Sequence, residues 1–258
     1  MSIYVMVDME GISGVYSAAQ VNSDNPRYAQ GCKFYTWDVN ACVDGCFAGG
    51  AKRVIVRDAH GGGNSLIWEE CDPRGEYIQG RTHERMPFLD ECDGLVLLGY
   101  HAMATTPRAV LEHTMTSVHW QRVWMNDRLV GETAIDAGLA GDHGVPLVMV
   151  SGDEKLCAEA KALVKGIVAV EVKKGLAIEG ALLYSRQRAH EAIRKGAAKA
   201  VKLCAKIKPY KVKRPVRFRV ELAGRRSASM GRRNVKVIDE RTYEATGPNV
   251  EDAFKALL

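Results

Sequence analysis
The sequence predicts an α/β protein: a largely parallel sheet flanked by helices, with a smaller α+β unit at the C-terminus. Strand-like and helix-like stretches alternate over the first two thirds of the 258 residues, which is typical of a parallel sheet. Several strand-like stretches are short continuous apolar runs, as expected for strands covered on both faces. The last third is strongly basic, which indicates a second unit with a different surface.

Four apolar runs define the predicted parallel sheet, and helical patterns lie between them. We expect strands at residues 3–7, 53–57, 94–98 and 146–150. Helices are predicted at 28–48, 132–140 and 154–165. Gly49 and Gly50 end the first of these helices, and Asp153 has the position of an N-cap for the third.

The C-terminal third combines helix and strand patterns. A basic helix is expected at 186–207, an alternating strand at 216–222 and a short amphipathic segment at 250–258. Residues 118–125 also have strand composition and precede a turn signal at Asn126-Asp127. Residues 181–258 hold 20 Lys and Arg against 7 Asp and Glu, whereas residues 1–180 hold 16 against 24. We therefore predict one domain at 1–175 and a smaller basic domain at 176–258.

Composition and motifs exclude several classes of protein. No apolar run approaches the roughly 18 residues that span a bilayer, and the opening MSIYVMVDME lacks the basic region of a secretory signal. The seven cysteines are odd in number and scattered, so we expect reduced thiols. Gly61 to Gly63 lack the pattern of a nucleotide-binding loop. We expect a cytoplasmic protein with no membrane partner.

Acids and histidines follow the ends of three predicted strands. Asp8 and Glu10 follow the first strand, Asp58 and His60 the second, and His101 the third. Ligands bind beyond the carboxyl ends of strands in open α/β sheets, so these side chains would converge. Taken singly, each is commonly a loop acid or a core histidine; their joint placement carries the argument, because buried acids are costly unless paired or metal-bound. The mixed carboxylate and imidazole set suits Zn²⁺, Mn²⁺ or Co²⁺. The 1–175 domain would then be the metal-binding catalytic domain. Asp58 either orients His60 or is only an acid at the end of a strand.

Five blocks of the sequence resemble the D-aminopeptidase family, peptidase family M55. The blocks are VDMEGISG, RDAHGGGNSL, LLGYHAMATTP, LEHTM and NDRLVGETAIDA, and they cover roughly residues 3–155 in the family's order. The last hundred residues match only loosely. The resemblance implies two Zn²⁺ per subunit, with Mn²⁺ or Co²⁺ as substitutes. It also implies a homodecamer whose ring encloses the active sites.

The resemblance carries a role to each matching position. It implies that Asp8 bridges the two metals, that Glu10 and His101 bind the first zinc, and that His60 and Glu132 bind the second. His113 is then the family's catalytic nucleophile. From the residues alone we prefer a role for His113 in acid–base catalysis, because a two-metal site already activates water. The segment from Pro107 to His113 is one residue longer than in the family's pattern. His119, six positions further on and on the same face of a continuous strand, is therefore an alternative for the catalytic role.

The expected function is a dinuclear zinc aminopeptidase that acts on short peptides with an N-terminal D-amino acid such as D-Ala. The D-stereochemistry comes from the resemblance. The alternative is a dinuclear metal hydrolase acting on another amide or on a phosphoester. A phosphoesterase would need a basic clamp, for which Arg57 and Arg108 are the candidates near the predicted ligands in sequence.

A third hypothesis is a non-enzymatic binding protein that uses the basic C-terminal half. The stretch 206–219 is basic but has little aromatic interleaving and no recognised nucleic-acid module. We therefore expect a solvated face or a contact with a neighbouring subunit, and no nucleic-acid partner. We expect no convergent partners for the remaining histidines, which are His83, His119, His143 and His190.

Overall fold
The computed structural model describes residues 1–225 and 235–257, which form two sheets and the helices that cover them. The strands in chain order are β1 (Ser2–Val7), β2 (Arg53–Asp58), β3 (Glu76–Ile78), β4 (Gly94–Leu98), β5 (Trp120–Met125), β6 (Arg128–Leu129), β7 (Leu147–Asp153), β8 (Val168–Ala177), β9 (Gly180–Leu183), β10 (Val216–Leu222), β11 (Val235–Val237) and β12 (Thr242–Gly247). The helices are α1 (Ala18–Val21), α2 (Tyr28–Ala48), α3 (Glu132–Asp142), α4 (Glu154–Leu163), α5 (Arg186–Leu203) and α6 (Val250–Lys255).

The larger sheet is parallel except at one edge. Its order is β3-β2-β1-β4-β7-β8-β9, and only β9 runs antiparallel to its neighbour within the described residues. The interior strands β1, β4 and β7 are buried almost throughout, which explains their continuous apolar sequences. The largely parallel sheet with flanking helices confirms the predicted fold class.

The second sheet is antiparallel and is built mostly from the C-terminal part of the chain. Its order is β11-β12-β10-β5-β6. Strand β10 alternates strictly between buried and half-buried positions, as its charged and apolar alternation predicts. Asn126 and Asp127 both have positive φ in the turn from β5 to β6, in agreement with the predicted turn signal. This sheet and helix α6, which packs on β10 and β12, form the predicted α+β part.

The two-unit division at residue 175 stays a prediction. The boundary falls within β8, and the second sheet takes β5 and β6 from the N-terminal side of it. Helix α5, which follows the boundary, packs closely on α2. A Cβ added at Gly45 of α2 would lie 2.4 Å from the carbonyl oxygen of Arg194, so glycine permits this approach.

The predicted elements lie where the structure has them, with shifts at their ends. Helix α2 and strands β4 and β10 have their predicted bounds, whereas β7 continues three residues beyond 150. The basic helix ends at Leu203, and residues Cys204–Lys206 continue as a 3₁₀ turn. Among the strands and α-helices, the elements without a sequence prediction are α1, β3, β6, β8, β9, β11 and β12. Among the described residues, no helix is both long and apolar enough to cross a membrane.

Candidate active site
The carboxyl ends of β1, β2 and β4 bring the predicted ligands together. Strand β1 lies between β2 and β4, so Asp8 has a histidine from each neighbouring strand at its sides. Its Oδ1 lies 3.2 Å from Nδ1 of His60, and its Oδ2 lies 3.3 Å from Nε2 of His101. One carboxylate thus faces two imidazoles with separate oxygens, an arrangement suited to a bridging ligand.

Asp8, Glu10 and His60 form the first cluster. Their nearest ligand atoms all lie within 4.8 Å of one another, and Oε2 of Glu10 is 3.4 Å from Nδ1 of His60. The Nε2–H of His60 donates to the carbonyl oxygen of Val21 at 2.8 Å. Because a carbonyl only accepts, Nδ1 of the neutral ring is left as a lone pair that faces the carboxylates.

His101, His113 and Glu132 form the second cluster. Nε2 of His101 and of His113 lie 3.3 and 3.6 Å from Oε1 of Glu132, and the two rings stack with their centroids 4.0 Å apart. Each ring donates from Nδ1 to a backbone carbonyl, that of Ala102 for His101 and that of Leu111 for His113. Both Nε2 atoms therefore face the site as lone pairs in the neutral rings.

The clusters pair the ligands differently from the expected assignment. The resemblance implied Glu10 with His101 and His60 with Glu132, whereas the structure has Glu10 beside His60 and Glu132 beside His101. The strand order places His60 and His101 on opposite sides of Asp8. Glu10 lies beside His60, and Glu132, the first residue of α3, lies beside His101.

The electrostatics of the site call for a positive charge between these groups. Burial alone would lower the pKa of His60, but the neighbouring carboxylates of Glu10 and Asp8 raise it to about 12. Burial likewise opposes protonation of His101, yet the neighbouring carboxylates of Asp8 and Glu132 raise its pKa well above the usual value. Despite burial, the two neighbouring imidazoles hold the pKa of Asp8 well below its usual range. Either protons on the imidazoles or cations between the clusters supply that charge.

Two orphaned atoms test whether the residues fit metal ions. Oε2 of Glu10 and Nε2 of His101 are buried and have no hydrogen-bond partner. Such atoms are rare in folded proteins, because leaving a buried acceptor without a donor is costly. One lies in each cluster, on opposite sides of Asp8, and both are common ligand atoms of zinc. The donor set and its orphaned atoms therefore fit a pair of divalent cations.

Asp58 holds a loop near the site. Its carboxylate accepts from the backbone N–H groups of Ser65 and Leu66 at 2.6 and 2.9 Å and from the hydroxyl of Tyr35 at 2.9 Å. Burial raises its pKa. Of the two roles considered for Asp58, these bonds favour a strand-end acid that fixes the turn after His60 over one that orients the imidazole.

A partly buried ion pair between Arg85 and Asp136 lies beside Glu132 and was not predicted from the sequence. Arg85 donates from Nε and Nη2 to both oxygens of Asp136, at 2.5 and 2.9 Å, and the Tyr100 hydroxyl donates to the same carboxylate at 2.7 Å. Nη2 of Arg85 also lies 3.8 Å from Oε2 of Glu132. Asp136 is four residues after Glu132 in α3, a spacing that signals a shared helix face. Arg85 lies in an irregular segment, where no periodicity marks it.

Five of the six cluster residues, all except the buried His101, line one end of a cavity of about 510 Å³. Residues of α1 and the segment Met115 to Ser117 form its other walls, and Arg85 reaches into it. His113 lines the cavity, whereas His119 is exposed and does not. The alternative assignment of His119 thus has no geometric support.

The remaining candidates lie elsewhere. Arg57 donates to the carbonyl oxygen of Gly80, and neither it nor Arg108 lines the cavity. His190 and His143, for which no convergent partners were expected, each lie near a single carboxylate outside the cavity, at 3.3 Å from Asp38 and 3.6 Å from Glu251. All seven cysteines are free thiols, as expected.

The cavity lies at the carboxyl edge of a parallel sheet, and carboxylates and imidazoles with orphaned ligand atoms converge there. This arrangement is typical of metal-dependent hydrolases. The sequence model of the D-aminopeptidase family, peptidase family M55, matches residues 1–258. The chain belongs to this family and is a metallo-aminopeptidase.

Two relatives agree with this assignment. A D-aminopeptidase of Bacillus subtilis (strain 168) is 33% identical over 212 residues, which cover 81% of this chain and 77% of the relative. A solved structure, described as the Zn-dependent D-aminopeptidase DppA from Bacillus subtilis, a self-compartmentalizing protease, matches with a TM-score of 0.94. That match has 28% sequence identity and covers 99% of this chain and 95% of the other.

Proposed function
We propose that this protein is a dinuclear zinc aminopeptidase that removes N-terminal D-amino acids from short peptides. The observation that carries the proposal is the pair of orphaned ligand atoms, Oε2 of Glu10 and Nε2 of His101, on opposite sides of Asp8. Asp8, Glu10 and His60 would hold one cation, and Asp8, His101 and Glu132 the other. The bound ions would polarise the scissile carbonyl and make water a stronger nucleophile.

His113 is proposed as the proton-transfer group. Its Nδ1–H donates to the carbonyl oxygen of Leu111 at 2.9 Å, which fixes the ring and directs the Nε2 lone pair into the cavity. From that position Nε2 can take a proton from the attacking water and return it to the leaving amine. Because the two-metal site would already activate water as the nucleophile, we propose acid–base catalysis by His113 and not nucleophilic attack.

The metal ligands and the cavity size suit a small, amine-bearing substrate. Asp8, Glu10 and Glu132 would balance most of the charge of two divalent cations, and one of these cations would be available to bind the free N-terminal amine of a peptide. About 510 Å³ lies in the range of pockets for small ligands, so short peptides are the proposed substrates. The D-preference rests on the family and on the names of the two relatives.

Side-by-side hydrolysis of D-Ala-D-Ala and L-Ala-L-Ala by the zinc-loaded protein tests the stereochemical part. We expect cleavage of the D,D-dipeptide with the higher kcat/KM. Equal rates, or faster cleavage of the L,L-dipeptide, would remove that part and leave a zinc aminopeptidase of other specificity.

The phosphoester alternative lacks a free clamp. Arg85 is the arginine that lines the cavity among the described residues, and Asp136 already takes up its charge. Absence of phosphodiester hydrolysis under conditions in which a peptide amide is cleaved would exclude this alternative.

We also propose a homo-oligomer, with a decamer as the expected form, in a reducing compartment such as the cytoplasm. The structural relative is described as self-compartmentalizing, and the β8–β9 hairpin exposes apolar side chains at Leu176, Ile178 and Leu182. The seven free thiols support a reducing compartment. Sedimentation velocity of the purified protein tests the assembly, and a monomer at micromolar concentration would contradict it.

A further inference from the structure
Lys173 is a fully buried lysine whose ammonium group contacts the segment that carries Glu10. Its Nζ donates to the carbonyl oxygens of Glu10, Ile12 and Val15 at 2.6, 2.9 and 2.6 Å. An ammonium has three protons, so these bonds use its full donor capacity. Hydrogen bonds from a charged donor are about twice as strong as neutral ones.

An irregularity in β8 directs this side chain inwards. The register between β7 and β8 shifts so that Gly152 pairs with Glu171 and Asp153 with Lys173, which leaves Val172 as an additional residue. Val172 and Lys173 are consequently both buried, although neighbours in a regular strand face opposite sides. A bulge that re-aims one side chain towards a site is a recurrent device in proteins.

Lys173 makes no carboxylate contact that would explain its burial. Among the ion pairs of the described residues, none includes Lys173, so its charge is met by the carbonyl groups of residues 10–15. An unpaired buried charge is expensive. Within the described part of the chain, the hydrogen bonds of this buried ammonium all go to backbone carbonyls, which points to a specific requirement for order in that segment.

The other sides of the segment are held as well. The N–H of Gly11 donates to the carbonyl oxygen of Gly99 at 2.7 Å, and the fully buried Asp38 accepts from the N–H and the hydroxyl of Ser13 at 2.8 and 2.6 Å. Neighbouring elements thus take up N–H groups of the segment, and Lys173 takes up its carbonyl groups. The backbone of Glu10 is fixed by this combination.

The Glu10 carboxylate depends on that backbone for its position. Its Oε2 is one of the orphaned atoms, to which no group within the described residues donates a hydrogen bond. A carboxylate oxygen without a donor keeps a ligand geometry only if the backbone of its residue is held. We propose that Lys173 is a positioning residue, which through the carbonyl groups of residues 10–15 sets the zinc affinity of the Asp8–Glu10–His60 cluster. This inference rests on the proposed metal-dependent function.

Positioning and charge predict opposite effects of removing Lys173. If the lysine acted only through its charge, replacing it by methionine would remove repulsion of a nearby divalent cation and tighten zinc binding. If it positions Glu10, the same replacement loosens the segment and weakens binding in one cluster. Loss of an outer contact of a ligand typically costs 10- to 100-fold in metal affinity.

Stepwise zinc affinities from chelator competition, measured on the intact protein, separate these cases. The variants are K173M, K173R, which keeps the charge and donors, and E10Q, which weakens the ligand itself. K155M is the matched control, because Lys155 is a partly buried lysine that also donates to a backbone carbonyl, that of Gly175. The melting temperature of each metal-free variant is recorded alongside.

We expect K173M to weaken one of the two zinc affinities by about 10- to 100-fold. The weakened affinity should be the one that E10Q lowers, with partial recovery in K173R and no change in K155M. Tighter, unchanged or equally weakened affinities in K173M would overturn the inference while leaving the proposed function intact. If K173M does not fold, K173Q, which keeps two donor protons, is held to the same criterion. A wild-type protein that binds no zinc would instead overturn the proposed function, and this inference with it.

Discussion
Replacement of His113 by alanine separates catalysis from assembly of the site. Within the described residues, the ring donates a hydrogen bond from Nδ1 to the carbonyl oxygen of Leu111 at 2.9 Å and stacks on His101 with the ring centroids 4.0 Å apart. Loss of the hydrogen bond costs about 1 kcal/mol of folding free energy. Loss of the stacked pair costs about 0.5–1.5 kcal/mol more. The total is small compared with the stability of a typical domain, which is about 5–15 kcal/mol.

The expected effect of His113→Ala on turnover is larger. Loss of a positioned acid or base lowers kcat by about 10²–10⁴-fold, which corresponds to about 3–5.5 kcal/mol of activation free energy. Since the structural cost is smaller, the variant should stay folded and keep its metal while losing activity. The assay combines kcat and KM on D-Ala-D-Ala with metal analysis and a melting curve.

The control and the refuting results follow from the same geometry. His119→Ala should retain activity, because His119 is exposed and lies outside the cavity. An unimpaired His113→Ala enzyme together with an inactive His119→Ala enzyme would refute the assignment of His113. If His113→Ala lost one metal equivalent, the proton-transfer role would also be refuted. His113 would then be a metal ligand in the cluster that it forms with His101 and Glu132.

Three further predictions concern the site and the elements behind it. Asp8→Ala should lose metal from both clusters, because its two oxygens face His60 and His101 separately; elemental analysis that finds two retained equivalents would contradict this. Asp136→Asn should lower the free energy of unfolding in urea by about 1.5–3 kcal/mol, since it removes the charged partner that accepts both hydrogen bonds of the partly buried guanidinium of Arg85. Burial raises the pKa of Glu159 to about 6 from 4.5, so the folded state binds the proton more tightly than the unfolded state. The free energy of unfolding, measured relative to that of Glu159→Gln, should therefore fall by about 2 kcal/mol as the pH rises from about 4.5 to above 6. A difference between the two proteins that does not change with pH would contradict this prediction.

The sequence was sufficient for the elements whose signal is local. Strand β4 is a continuous apolar run followed by Gly99 and His101, so both the strand and its ligand are visible within eight residues. Strand β10 alternates with period two, and α2 ends at paired glycines. The convergence of Asp8, His60 and His101 followed from one general rule, namely that parallel strands end at the same edge of a sheet.

The missed features depend on tertiary contacts. Arg85 lies in an irregular segment, and only the fold brings its guanidinium to Asp136, 51 residues away in sequence. Lys173 lies in a strand whose bulge turns a charged side chain inwards, whereas periodicity would leave that side chain exposed. The pairing of Glu10 with His60 required the strand order, which the sequence pattern does not contain.

The metal content of the purified protein tests the central claim most directly. The two clusters on either side of Asp8 predict about two equivalents of divalent metal per chain, bound at the carboxyl ends of β1, β2 and β4. Elemental analysis of the protein as isolated, and again after dialysis against Zn²⁺, should reach this ratio, with peptidase activity rising in parallel. A chain that remains metal-free and inactive after addition of Zn²⁺, Mn²⁺ or Co²⁺ would contradict the metal-dependent function.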